Sequence, residues 1–158
     1  MTTPNPTIDL KRRQLLAGAL LLALPRAWAT PGPLLVEVWK DPTCGCCKDW
    51  IAHLEKNGFE ARVHDAGNTD ARKRLSIPSQ YGSCHTAVVD GYALEGHVPV
   101  REILRLLNER PNAIGLAVPG MPIGSPGMDG PEYGRRRDPY DVLLLARDGT
   151  SRIFQSYR

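Results

Sequence analysis

Apolar positions in this chain switch repeatedly between short continuous runs and helical spacing. Leu34-Leu35-Val36-Glu37-Val38-Trp39 reads as a strand, and Asp41-Pro42-Thr43 breaks it. From Cys46 or Cys47 onward, Cys47, Trp50, Ile51 and Leu54 recur three and four residues apart, the apolar face of a helix that Asn57-Gly58 caps. Glu60 to Asp65 predicts a second strand. Thr69 to Leu75 predicts a short helix whose Arg72, Lys73 and Arg74 form a solvated face. Thr86-Ala87-Val88-Val89 and Tyr92-Ala93-Leu94-Glu95, joined across Asp90-Gly91, give the strongest hairpin signal in the chain. Pro99 opens a last helix that runs through Leu107, with Val100, Ile103, Leu104 and Leu107 facing inward and Pro111 closing it.

The predicted order β-α-β-α-β-β-α, with thiols at the first strand-to-helix turn, is that of a thioredoxin-like α/β domain. The segment after the last helix differs in kind. Gly115-Leu116-Ala117-Val118-Pro119-Gly120-Met121-Pro122-Ile123-Gly124-Ser125-Pro126-Gly127-Met128 is too rich in Gly and Pro for a helix or a central strand, so it is expected as a loop. Beyond it, Asp141 to Arg147 and Ser151 to Gln155 flank Asp148-Gly149-Thr150 as a second hairpin. Residues 115–158 are thus expected as a loop and hairpin extension of a single domain spanning 30–158.

The first 29 residues carry a different pattern. Lys11-Arg12-Arg13 precedes the apolar run Leu15 to Leu24, too short to span a bilayer, and Ala27-Trp28-Ala29 supplies a small-x-small cleavage signature. This predicts an export signal ending at Ala29, with the paired arginines resembling a twin-arginine address. Export to the periplasm follows, with no membrane attachment after cleavage. Of 20 basic and 17 acidic side chains, the signal holds Lys11, Arg12, Arg13 and Arg26 against Asp9 alone, so the remainder is charge-balanced. A balanced domain gives no electrostatic case for nucleic-acid binding. All four cysteines lie beyond the signal, in a compartment that oxidises unprotected thiols.

Three of those thiols sit within Cys44-Gly45-Cys46-Cys47. Cys44 and Cys47 have the C-x-x-C spacing of a redox pair, and a helix N-terminus would lower the thiol pKa. Cys46 and Cys47 are a poor disulfide, because adjacent Cα atoms lie about 3.8 Å apart whereas a disulfide wants roughly 4.4 to 6.8 Å. A single tetrahedral ion on Cys46 and Cys47 is awkward, since successive helical side chains diverge by about 100°. Bridging thiolates in a small cluster suit the spacing better. Soft donors select Cu(I), and Met121 and Met128 in the Gly/Pro segment add thioethers, though other thiophilic metals fit the same set. In a thioredoxin-like domain the loop entering the third strand, here Ser83-Cys84-His85, faces this turn. No proline stands just before Thr86, where disulfide-exchanging members of that fold usually dock substrate.

Cys-x-Cys-Cys-Lys-x-Trp, then Ser-Cys-His-Thr-Ala-Val, Glu-Gly-His-Val-Pro and Gly-Leu-Ala-Val-Pro-Gly-Met-Pro-x-Gly-Ser-Pro-Gly-Met, in that order, resembles the CopG-type periplasmic copper-resistance proteins. The resemblance runs from Val36 to Met128. It implies a thioredoxin-like fold that binds several copper ions in a cysteine-bridged cluster and acts in copper redox conversion or trafficking, with periplasmic copper carriers or exporters as partners. It makes Cys44, Cys46, Cys47 and Cys84 the cluster thiolates and adds His85, His97, Met121 and Met128 as motif residues.

Other readings stay open on the residues themselves. Cys44 and Cys47 could serve a thiol-disulfide oxidoreductase, or the four cysteines could form two structural disulfides in an interaction module. No general acid, base or substrate pocket is legible, so binding is favoured over catalysis. His53 and His64 are expected at the surface, and Trp39 and Trp50 in the core.

Overall fold

A computed structural model describes residues 32–158, which form one compact unit; the expected export signal lies outside the described residues. The elements are β1 (Leu34–Lys40), α1 (Gly45–Lys56), β2 (Phe59–His64), α2 (Thr69–Arg74), β3 (His85–Val89), β4 (Tyr92–Glu95), α3 (Val100–Glu109), β5 (Gly115–Ala117), β6 (Tyr140–Leu145) and β7 (Ser151–Tyr157). Through α3 this is the predicted β-α-β-α-β-β-α order. Among the described residues no helix is long and apolar enough to cross a membrane.

The strands form one sheet in the order β2-β1-β3-β4-β5-β6-β7. β1 runs parallel to β2 and antiparallel to β3, and β4 runs antiparallel to β3 but parallel to β5. Alternation along the strands divides the sheet into two apolar faces. On one face Val36, Val38, Ala87, Val89, Leu94 and Leu116 pack with Trp50, Ile51 and Leu54 of α1 and Val100, Ile103 and Leu106 of α3. A smaller cluster of Ile77, Ala93, Ala117 and Leu145 forms separately, with Ala93 and Leu94 on opposite sides of β4.

Four expectations are corrected. Gly115–Ala117, expected as loop, is a fully buried strand at an interior position of the sheet, and it joins the C-terminal hairpin to the rest. Three residues carry no periodicity, so only their neighbours β4 and β6 make them a strand. The inward face of α3 uses Leu106 and the carboxylate Glu102 where Leu104 was expected; Leu104 is 46% exposed. Glu102 is buried because the Tyr157 hydroxyl of β7 donates to it at 2.6 Å. Arg72 does not lie on a solvated face but turns inward to the fully buried Glu95. Trp50 is core as expected, while Trp39 is only half-buried, stacked on a half-buried His64 with Arg74 above it.

The Gly/Pro segment is ordered by specific contacts. Val118 N–H donates to Glu95 O at 2.9 Å and Gly120 N–H to Gly82 O at 3.2 Å, which fasten its start to β4 and to the loop before β3. Its end lies on α1. A Cβ on Gly127 would sit 2.6 Å from Cys46 O and 2.7 Å from Trp50 N, and Gly127 has φ +84°, so only glycine fits.

Candidate metal centre

The first half of the site is a local construction. Asp41 Oδ1 accepts from Thr43 N–H (2.8 Å) and Thr43 Oγ1 (2.6 Å), and Cys44 N–H donates to Asp41 O (3.1 Å). This turn ends β1 and leaves Cys44 in an extended conformation at the N-cap of α1. Cys46 and Cys47 then occupy the first helical turn. Cys47 points into the core, where it is fully buried, while Cys46 is partly accessible.

Cys44 and Cys47 are joined as a disulfide with a Cα–Cα distance of 5.4 Å, and Cys46 and Cys84 are free. The pairing agrees with the C-x-x-C spacing. Cys46 Sγ lies 3.6 Å from Cys44 Sγ and 3.9 Å from Cys84 Sγ, and Cys47 Sγ is 3.7 Å from Cys84 O. All four sulfurs are within 4.8 Å of one another.

Cys84 arrives on the loop entering β3, as the fold class predicts; β3 runs antiparallel to β1 with His85 paired to Lys40, so this loop and the Cys44 turn lie at the same end of the sheet. Its Sγ is 3.1 Å from His97 Nε2 and 3.4 Å from His85 Nδ1, so Cys84, His85 and His97 make a second donor group that shares one sulfur with the first. His97 Nδ1 donates to Pro126 O at 2.7 Å. That bond fixes the tautomer, leaving the Nε2 lone pair facing Cys84. His85 packs against the Trp50 ring, 4.3 Å between centroids, and its Nε2 is buried without a hydrogen-bond partner.

The electrostatics suit neutral donors. Burial, reinforced by the Cys46 sulfur, pushes the Cys84 thiol up to about 12. Burial holds His85 well below the ordinary imidazole range, with His97 adding to it, and burial also lowers His97 against the opposing pull of Pro126 O and Asp129. Both rings are therefore neutral at neutral pH, the form that binds metal. A thiol S–H at Cys84 donates to His97 Nε2, and loss of that proton frees sulfur and nitrogen together.

The two methionines differ. Met128 is buried, with its Sδ accepting from Tyr133 Oη at 3.4 Å, whereas Met121 is 51% exposed. Met121 follows Gly120, whose carbonyl accepts from Ser83 Oγ beside Cys84. Tyr133 was not singled out in the sequence. Burial and the neighbouring Glu132, Cys46 and Asp49 raise its phenol pKa, so its charged form is disfavoured beside the thiols. It lies far along the chain, at the end of the short 3-10 turn Pro131–Tyr133, and no motif marks it.

A family model described as a protein of unknown function, DUF411, matches residues 81–128, which hold Cys84, both buried histidines and the Gly/Pro segment. No curated protein matches the chain. Two solved structures do, both copper resistance protein CopG. Form 2 is 48% identical over 80% of this chain and 99% of its own, with a TM-score of 0.73. Form 1 is 49% identical over 79% of this chain and 98% of its own, with a TM-score of 0.72. With nearly half its residues identical across almost the full length of those structures, the chain belongs to the family of the copper resistance protein CopG.

Proposed function

We propose that this protein binds copper as Cu(I) in a multinuclear cluster bridged by Cys44, Cys46, Cys47 and Cys84, and serves copper resistance in the periplasm by buffering, passing on or changing the redox state of the metal. The observation that carries this reading is the convergence of four sulfurs within 4.8 Å. Separations of 3.6 and 3.9 Å between neighbouring sulfurs are spans that a metal ion with bonds to sulfur of about 2.3 Å can bridge. Sulfur and neutral imidazole are soft to borderline donors, which favour Cu(I) over hard cations.

The roles divide by environment. Reduction of the Cys44–Cys47 disulfide takes two electrons and two protons and yields two further thiols, so the full sulfur set exists only in the reduced protein. His97, oriented by Pro126 O, offers Nε2 to a metal held on Cys84. His85 contributes a second imidazole. Met128 and Met121 sit on a strap fastened to α1 and to the Cys84 loop, where thioethers add soft ligation at the rim. Trp50 covers His85 from the core side and excludes water. Export through the amino-terminal signal, and exchange with other periplasmic copper carriers or exporters, belong to the same reading.

Anaerobic titration of the reduced protein with Cu(I) tests it: more than one copper per chain is expected, and Cys46→Ser should lower the loading as much as Cys44→Ser does. A strict one-to-one stoichiometry, or no uptake, contradicts the cluster. The Cys44–Cys47 disulfide favours one second reading, a thiol-disulfide oxidoreductase using that pair. It predicts turnover of a disulfide substrate that survives Cys46→Ser.

A further inference from the structure

The Cys84 loop is held from below by a buried ion pair. Glu95, at the end of β4, is fully buried, and its carboxylate is saturated. Oε1 accepts from Ser83 N–H at 2.6 Å and from Arg72 Nε at 2.9 Å, with the charged Arg72 Nη2 lying 2.8 Å away, and Oε2 accepts from Thr86 Oγ1 at 2.5 Å. Arg72 Nη2 also donates to Ser83 O at 2.6 Å, and Asn68 Nδ2 to the same oxygen at 3.1 Å. Both backbone polar groups of Ser83 are thus taken by charged partners one residue before Cys84. Thr86, two residues after Cys84, is taken by the same carboxylate.

The neighbouring backbone is shaped to allow this. A Cβ on Gly96 would lie 2.5 Å from Ser83 Oγ and 2.5 Å from Val118 O, and Gly96 has φ +71°, so the residue between Glu95 and His97 must be glycine for Ser83 to sit where the carboxylate holds it. Beyond the end of β4 at Glu95, the chain turns at Gly96 and delivers His97, the partner of Cys84. One short segment therefore fixes both members of the Cys84–His97 pair. A buried ion pair is weak as a source of stability, since apolar replacements of similar volume are often neutral or better. Positioning accounts for it more directly.

We propose that Glu95 and Arg72 are positioning residues for the Cys84 sulfur, clamping Ser83 so that Cys84 faces Cys46 and His97 in the protein before any metal arrives. The consequence for metal binding rests on the copper reading above. The consequence for thiol geometry does not.

The test compares the wild type with Glu95→Gln and with the double variant Glu95→Leu/Arg72→Met, which replaces the pair by apolar groups and leaves no unpaired charge if the single variant folds poorly. In metal-free protein, alkylation of Cys84 and of Cys46 is followed separately by mass spectrometry. Loss of the clamp should raise the rate ratio of Cys84 to Cys46 by about tenfold, whereas general loosening of the fold raises both rates together and leaves the ratio unchanged. In copper-loaded protein the Cu(I) affinity should fall about 10- to 100-fold, the usual effect of removing groups that orient a ligand. An unchanged ratio in a folded double variant overturns the proposal. If the wild type takes up no copper, the copper reading fails while the alkylation ratio still decides the positioning claim.

Discussion

The two halves of the thiol site are built by opposite means. The Cys44–Cys47 turn is made by its own sequence: Asp41 ties Thr43 and Cys44 into a tight turn, and the start of α1 sets out Cys46 and Cys47. The Cys84 half is assembled from a distance. Its backbone is held by Glu95 and Arg72, its imidazole partner comes from the turn just beyond β4, and that imidazole is oriented by a carbonyl in the Gly/Pro strap. A local turn can keep its geometry while the rest of the site relaxes. The position of the fourth sulfur depends instead on contacts made by segments distant in the chain.

The largest expected effect separates the halves at the sulfurs. Cys46→Ser and Cys84→Ser should each leave a folded protein, by circular dichroism, and each reduce copper per chain by at least one ion. Loss from one variant alone would mean that the halves do not share a cluster. Next, His97→Ala removes an imidazole from the assembled half only, and copper affinity should fall about 10- to 100-fold in a competition titration while the reactivity of Cys46 is unchanged. Gly127→Ala strikes the close approach of the strap to the first turns of α1. It forces a Cβ against Cys46 O and Trp50 N, so thermal or denaturant unfolding should show a loss of about 1–3 kcal/mol. A further difference is in pH. The Cys84 thiol, raised to about 12 by burial, is protonated at neutral pH, and metal binding must displace that proton. Copper affinity should therefore rise with pH, by about tenfold per unit for each proton released, and uptake in weak buffer should acidify the solution.

The same division explains what could be read from the sequence. The triplet, its place on a strand-to-helix turn and the redundancy of Cys46 in a redox pair all follow from spacing, because the structures involved are local. The facing of Cys84 toward the triplet follows from the fold class, and the structure has it within 3.9 Å of Cys46. The rest depends on contacts between distant segments. Arg72 looks solvated within its own basic helix, and only Glu95, 23 residues away, turns it inward. Leu104 and Leu106 are equally good apolar choices by helical period, and the choice between them is made by where β7 places Tyr157. Gly115–Ala117 is a strand only because β4 and β6 lie on either side of it.

The central claim is that Cys84 and the turn share bridged metal, and copper-edge X-ray absorption on the anaerobically loaded, reduced protein tests it most directly. Bridged copper gives a nearest-neighbour shell dominated by sulfur together with a short copper–copper vector, both diminished in Cys46→Ser. A nearest-neighbour shell of nitrogen and oxygen, or sulfur ligation with no copper–copper vector, would contradict it.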